Sequence, residues 1–304
     1  MKKATFDPGL TQQFTSPFRR VINKDGSFNV HRRGSTWRDA HPYLILINMG
    51  WTRFFATVLC AYFLVNVLFA VVYYSLGPRS LQGADAPTEF GRMLNDFFFS
   101  SHTLSTVGYG NIFPNGVSAN SVAALESLVG VLGFAVATGL LFGRVSRPSA
   151  RIGFSDQMLI APYQETTSLQ FRVVNRRTND LMDLEARMML MRVEEQDGKP
   201  SRSYTNLKLE REQVVFLPLT WTIVHPIDSE SPLYGKSEAD LKASQTELLI
   251  VIKAYDDTFS QTVIARHSYR YDEILWHRRF SPAFYVDESG DMVLELPKLG
   301  EVAS

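Results

Sequence analysis

The chain has 304 residues with 31 basic and 31 acidic side chains, so no net charge points to nucleic acid as a partner. The single cysteine, Cys60, excludes an intrachain disulfide. The six histidines (His31, His41, His102, His225, His267, His277) show no metal-ligand spacing and no nucleophile motif appears, so an enzyme with a metal or other cofactor finds no support. Mean hydropathy is close to zero, but that average hides two unlike regions: an apolar stretch over 51–143 and a tail after Arg151 with charge every few positions.

In chain order, the first fifty residues are polar. No apolar core follows Lys2 and Lys3, so a cleavable signal is not expected. From Phe54 to Leu76, 23 consecutive residues carry no formal charge, enough to cross a hydrocarbon core of about 30 Å. A second candidate span runs from Val117 to Gly143, interrupted only by Glu126. Nine basic residues precede Phe54 against three acids, the connection holds only Arg79 and Arg92, and Arg144, Arg147 and Arg151 follow the second span. This bias puts both termini in the cytoplasm and the connection outside.

The connection is not an ordinary loop. Phe90 to Ser105 carries the block Phe97-Phe98-Phe99 and enough helix formers for a short buried helix, followed by irregular backbone and Pro114. Non-helical backbone at membrane depth survives only where protein buries it or where it lines a watery path. The segment that follows the helix, Thr106-Val107-Gly108-Tyr109-Gly110, has the sequence by which potassium filters are known, so identifying it is recognition that physics then supports. A potassium ion that sheds its water needs several oxygens at once. The carbonyls of Thr106, Val107, Gly108 and Tyr109, with the Thr106 hydroxyl, would supply stacked rings when four chains meet. Gly108 and Gly110 accept backbone angles closed to other residues, which lets successive carbonyls face one axis, with Val107 and Tyr109 turned outwards. The C-terminal end of the short helix, near Thr103 to Ser105, would aim its negative dipole end at the ion path. One strand cannot surround an ion, so a homotetramer follows.

The tail alternates apolar with other residues at Leu169-Phe171-Val173 and Leu248-Ile250-Ile252, as half-buried strands do. Similar runs recur at Leu184–Val193, Val214–Leu217, Trp221–Val224, Thr262–Ala265 and Met292–Leu296. Turn signals at Asp197-Gly198-Lys199-Pro200 and Ser289-Gly290-Asp291 separate some of them. Many short strands of this kind suggest an all-β sandwich, although the tail by itself does not separate it from another all-β module.

Over nearly its whole length the chain resembles the inward-rectifier potassium channels, and most closely their bacterial (KirBac-like) branch. The resemblance rests on Phe97-Phe98-Phe99-Ser100 leading into the filter, on Leu125-Glu126-Ser127-Leu128-Val129-Gly130, and on Gly139 to Arg144 followed by Arg147-Pro148 and a β-rich tail. It implies a cytoplasmic immunoglobulin-like β-sandwich from each subunit, prolonging the pore below the membrane of a bacterial cell. The expected division is a cytoplasmic segment over 1–35 and an interfacial slide helix over 36–50. A two-span pore domain follows over 51–148, with its pore helix at about 90–105, and then the sandwich over 149–304. Trp37, Ala40, Leu44 and Ile47 fall on one face of the slide helix, which Pro42 shortens or starts.

The resemblance also assigns roles. Glu126 matches a position behind the filter where a carboxylate or amide supports the pore; a purely structural buried acid is the competing reading. His102 stands where the family often has Glu or Gln, either as a group that titrates near neutrality or as a neutral spacer. Phe134 replaces the cavity acid of strongly rectifying animal channels, so block by polyamine or Mg2+ should be weak there; Thr138 lies one turn on. Phe142 would close the pore as an apolar constriction, against the alternative of a lipid-facing ring. Gly139 and Gly143 permit close packing or bending. Arg144, Arg147 and Arg151 are solvated positive-inside residues or bind anionic phospholipid headgroups, with the sign of the lipid effect left open. Two other readings stay open: a two-span potassium pore of another class, against which the missing βαβ pattern argues, and a membrane-anchored β-sandwich sensor, which needs no filter. Potassium flux blocked by Ba2+ would separate channel from sensor.

Overall fold

A computed structural model of the chain describes residues 9–10, 20–31, 33–34, 41–147, 150–196 and 198–303. It divides into two compact units, one of residues 33–147 and one of 1–32 with 148–304.

The first unit is helical. α1 (Pro42–Asn48) begins at a proline, whose fixed φ and missing N–H suit the first helical position. The helix expected further upstream around Trp37 and Ala40 lies outside the described residues. α2 (Trp51–Leu76) and α4 (Gly116–Val145) are the two spans, about 39 and 45 Å long at 1.5 Å per residue. Between them α3 (Glu89–Leu104) starts at Thr88, whose hydroxyl accepts the Gly91 N–H at 3.1 Å, a standard N-cap. The chain then returns as irregular backbone. A two-residue antiparallel pair, β1 (Leu81–Gln82) with β2 (Phe113–Pro114), ties the two ends of the re-entrant segment together. The spans bury only a narrow face each. Phe69 and Tyr73 of α2 and Phe99 of α3 form a core with Leu81 and Ala84, against which Val122, Ala123 and Val129 of α4 pack. Their other faces stay apolar and uncovered within the subunit, as lipid- or subunit-facing surfaces must be.

The second unit is a β-sandwich. One sheet runs β11 (Gln261–Arg270), β10 (Glu247–Asp256), β6 (Leu181–Gln196), β7 (Lys199–Leu207), with β8 (Gln213–Phe216) also on β6. The other runs β12 (Ile274–Trp276), β4 (Met158–Tyr163), β5 (Thr166–Asn175), β3 (Ile152–Phe154), with β9 (Thr220–Ile227) also on β5. All these pairs are antiparallel except β12 with β4. The inner faces meet through the alternating residues the sequence marks: Leu169, Phe171 and Val173 from β5, and Leu248, Ile250 and Ile252 from β10. The run at Met292–Leu296 is a strand only to Leu294 (β15, Met292–Leu294), paired with β14 (Phe284–Val286). Of the turn at 197–200, residue 197 lies outside the described residues.

The sequence gives no hint that the N-terminal segment joins this sandwich. Val21 and Ile22 are buried with Met191, Tyr204 and Leu249. The Glu247 carboxylate accepts the Val21 N–H at 3.0 Å, and the Ser268 hydroxyl donates to the Ile22 carbonyl at 2.6 Å. Arg20 and Lys24 pair with Glu273.

Candidate ion-conduction site

α3 ends at Leu104, and its last carbonyls hold the strand that follows. The Ser105 hydroxyl donates to the Ser101 carbonyl at 2.6 Å, and the Thr106 N–H to the Thr103 carbonyl at 3.0 Å. The His102 carbonyl accepts from both Val107 (2.9 Å) and Gly108 (3.3 Å). The backbone of residues 106–108 is therefore anchored on the helix by main-chain bonds rather than by its own side chains. Thr106, Gly108 and Gly110 take φ of +61°, +58° and +81°, while Val107 and Tyr109 do not enter the left-handed region. In an extended strand successive carbonyls alternate sides. Left-handed backbone at every second residue turns them towards one side instead, which a ladder of oxygen rings requires.

Sequence reasoning assigns this freedom to the two glycines and misses Thr106. A β-branched residue at positive φ is a backbone outlier, costing on the order of 1–3 kcal/mol and kept only where its surroundings over-determine it. Its N–H bond to Thr103, and the bonds of the next two amides to His102, supply that constraint. The Tyr109 ring turns away from the strand and meets the His102 ring edge-on at 4.8 Å. Residues 105–111 are exposed in the single subunit, so the carbonyl face is open on one side.

Behind the strand lies a polar cluster drawn from all three long helices. Glu126 of α4 is fully buried; Ser100 Oγ lies 2.5 Å from its Oε1, and the Tyr73 hydroxyl donates to its Oε2 at 2.7 Å. Ser100 Oγ also lies 3.1 Å from Oδ1 of Asn66, whose amide nitrogen donates to the Tyr62 carbonyl at 2.8 Å. Tyr73 and Asn66 are as buried as Glu126 and sit two turns apart on one face of α2. The sequence marks Glu126 but neither of these partners. The available signal is an asparagine seven residues before a tyrosine inside an apolar run, a pattern that suggests a buried polar face. One turn beyond Glu126, Gly130 presses against the end of α3. A Cβ there would lie 3.0 Å from Leu104 C and 3.2 Å from its Cα, with the carbonyl oxygen closer still.

Phe134, Thr138 and Phe142 follow at four-residue spacing on α4, all exposed, the two rings at 77% and 72%. They form an open stripe along one side of the helix. The helix runs unbroken through Gly139 and Gly143, which have different surroundings. Gly139 has open space around it, whereas a Cβ on Gly143 would touch Tyr43 Oη (3.2 Å) and Ile47 Cδ1 (3.3 Å) of α1.

The basic residues also differ from one another. Arg144 spends its guanidinium on the end of α1: Nη1 donates to the Leu46 (2.5 Å) and Ile47 (2.8 Å) carbonyls, and Nη2 to that of Met49 (2.7 Å). The same group lies over the Trp51 and Phe54 rings, 4.7 and 4.6 Å from their centroids. It thus satisfies the carbonyls a helix leaves unpaired at its C-terminus. Arg147 donates to the Asn48 side chain, and Arg151 is exposed.

Comparison with known proteins agrees with this layout. Residues 152–304 match the family model of the inward rectifier potassium channel C-terminal domain, and residues 49–147 match an ion channel family model. The inward rectifier potassium channel Kirbac3.1 of Paramagnetospirillum magnetotacticum is 35% identical over 288 residues, covering 93% of this chain and 96% of that protein. The G protein-activated inward rectifier potassium channel 1 of Homo sapiens is 25% identical over 296 residues, which is 89% of this chain but only 58% of the human protein. The ATP-sensitive inward rectifier potassium channel 14 of Mus musculus is 24% identical, covering 88% of this chain and 66% of its own.

Proposed function

The chain belongs to the inward-rectifier potassium channel family, and on that premise we propose that four copies enclose one pore through residues 106–110. It is a membrane potassium channel of inward-rectifier type, not an enzyme. In the assembly, carbonyls of Thr106, Val107, Gly108 and Tyr109 and the Thr106 hydroxyl replace the water shell of the permeant ion. Glu126 and His102 hold the strand from behind. Phe134 and Thr138 face the cavity, where an aromatic ring offers Mg2+ or polyamines no Coulomb attraction. Phe142 narrows the cytoplasmic end of the pore, with Gly139 free to bend. Both termini lie in the cytoplasm of a bacterial inner membrane.

The observation that carries this reading is the left-handed backbone at every second filter residue, with the Val107 and Gly108 amides held by His102. Anionic phospholipid headgroups bind at Arg147, Arg151 and Arg144. At Arg144 a headgroup competes with three carbonyls for the guanidinium, so lipid binding there and the seating of α1 are coupled. The test is flux from liposomes holding the purified full chain. Potassium should pass, sodium should not, Ba2+ should block, and graded anionic lipid should change the rate. Equal passage of sodium and potassium, or a monomeric particle in the bilayer, would refute the proposal.

A further inference from the structure

We infer that Glu126 is a neutral carboxylic acid, and that its proton completes a one-directional hydrogen-bond chain, Tyr73 to Glu126 to Ser100 to Asn66 to the Tyr62 carbonyl. The chain ties the pore helix to both spans. The argument is a proton count. The Tyr62 carbonyl can only accept, so the group 2.8 Å from it must be the Asn66 amide nitrogen, and Asn66 turns its oxygen towards Ser100. An amide oxygen can only accept as well. For both Ser100 contacts to be hydrogen bonds, its single proton must go to Asn66 at 3.1 Å, the partner that has none to give. That leaves Ser100 Oγ facing Glu126 Oε1 at 2.5 Å with lone pairs alone, and the Tyr73 proton is committed to Oε2. An ionised Glu126 thus leaves three oxygen–oxygen contacts to be bridged by two protons. A protonated Glu126 supplies the third, with Oε1–H donating to Ser100, and every contact then holds one proton.

The surroundings agree. The carboxyl group is fully buried and its hydrogen-bond partners are hydroxyls; among the described residues of this unit the ion pair joins Arg92 to Glu89, away from Glu126. An uncompensated charge at this depth is costly, and a neutral acid avoids it. The chain's direction matters for the filter. Ser100 sits one turn before the helix end that anchors Val107 and Gly108, so Glu126 acts as a donor that positions the pore helix rather than as a counter-charge.

The inference rests on the filter reading, and its test separates the two. Full-length wild type and Glu126→Gln are reconstituted and compared by infrared difference spectroscopy and by potassium and sodium flux. Glutamine keeps every contact: its oxygen accepts from Tyr73 and its amide donates to Ser100. We therefore expect Glu126→Gln to assemble as wild type does, because a satisfied partner set is preserved, and to lack the acid band. Ser100→Ala, which strands Asn66 and Glu126, should lose selectivity by roughly fivefold or more while still assembling. The difference spectrum should show a carboxylic-acid C=O band from wild type that Glu126→Gln lacks. Subtraction is needed because Asp96 is a second buried acid on the pore helix. Absence of the acid band from the difference spectrum, a Glu126→Gln protein that fails to assemble, or a Ser100→Ala protein with unchanged selectivity would overturn the inference. Absence of potassium flux from wild type would instead defeat the filter reading, and the band would still decide the protonation.

Discussion

Gly130→Ala adds one methyl group where α4 crosses the end of the pore helix. The new Cβ would stand 3.0 Å from Leu104 C and 3.2 Å from Leu104 Cα, and nearer to the carbonyl oxygen. All three atoms are main chain, so no side chain can swing aside and the end of α3 must move. Forcing a methyl into packed structure costs about 1–3 kcal/mol, against a gain of about 0.5–1 kcal/mol from replacing a mid-helix glycine. A net loss of roughly 1–2 kcal/mol per subunit follows. Leu104 lies two residues before Thr106, and the Val107 and Gly108 amides hang from His102 on the same turn, so the displacement passes into the segment 106–110 proposed as the filter. Expected results are a lower thermal midpoint of the assembled protein and a potassium-over-sodium flux ratio reduced by about tenfold, the factor that 1.4 kcal/mol sets. Gly133→Ala is the comparison, since a Cβ there meets nothing in its own chain. If Gly130→Ala matched wild type in both midpoint and selectivity, the claim that α4 positions the filter through this contact would be wrong.

Phe142→Ala removes a ring that is 72% exposed in the subunit and should raise potassium flux severalfold by widening an apolar constriction; an unchanged closed-state leak would place the ring against lipid. Arg144→Lys keeps the charge but loses the planar fork that reaches three carbonyls. It should behave like Arg144→Ala in exposing α1 to limited proteolysis, whereas full rescue by lysine would mean that only positive charge matters. In the sandwich, His267 donates from Nδ1 to the Lys24 carbonyl and stacks on Phe154, and burial pulls its pKa from 6.5 down to about 4. Between those values the unfolded chain binds the proton that the folded chain refuses, so stability is lost as pH falls from about 6.5 to about 4, by roughly 3 kcal/mol in all. His267→Phe should flatten that slope in thermal melts of the full chain. Glu247, whose pKa burial raises, contributes with the opposite sign in both proteins and cancels in the comparison.

The sequence is most legible where a pattern lies in consecutive residues or in a short period. Residues 106–110 are contiguous, and the alternation at Leu169-Phe171-Val173 and Leu248-Ile250-Ile252 lies wholly within single strands. Short strands such as β3 and β12, three residues each, carry too few positions for a period to register. The docking of Val21 and Ile22 on the sandwich depends on a carboxylate more than two hundred residues away, at Glu247, and no local pattern announces such a partner.

Glu126 is conspicuous in the sequence, whereas the groups that meet its carboxyl are not. A lone acid in an apolar span is conspicuous because the membrane makes charge costly. Whether it acts as charge, acceptor or donor depends on the protons its neighbours can spare, and those neighbours come from two other helices. Asn66, Tyr73 and Ser100 look ordinary in isolation: an amide, a phenol and a hydroxyl that a helix tolerates. Only their convergence on one carboxyl group, with a backbone carbonyl fixing the direction of the amide, turns three ordinary residues into a constraint on where a proton sits. A strand holding a left-handed threonine needs its supporting helix fixed from behind, and the proton chain we infer at Glu126 would fix it without a buried charge.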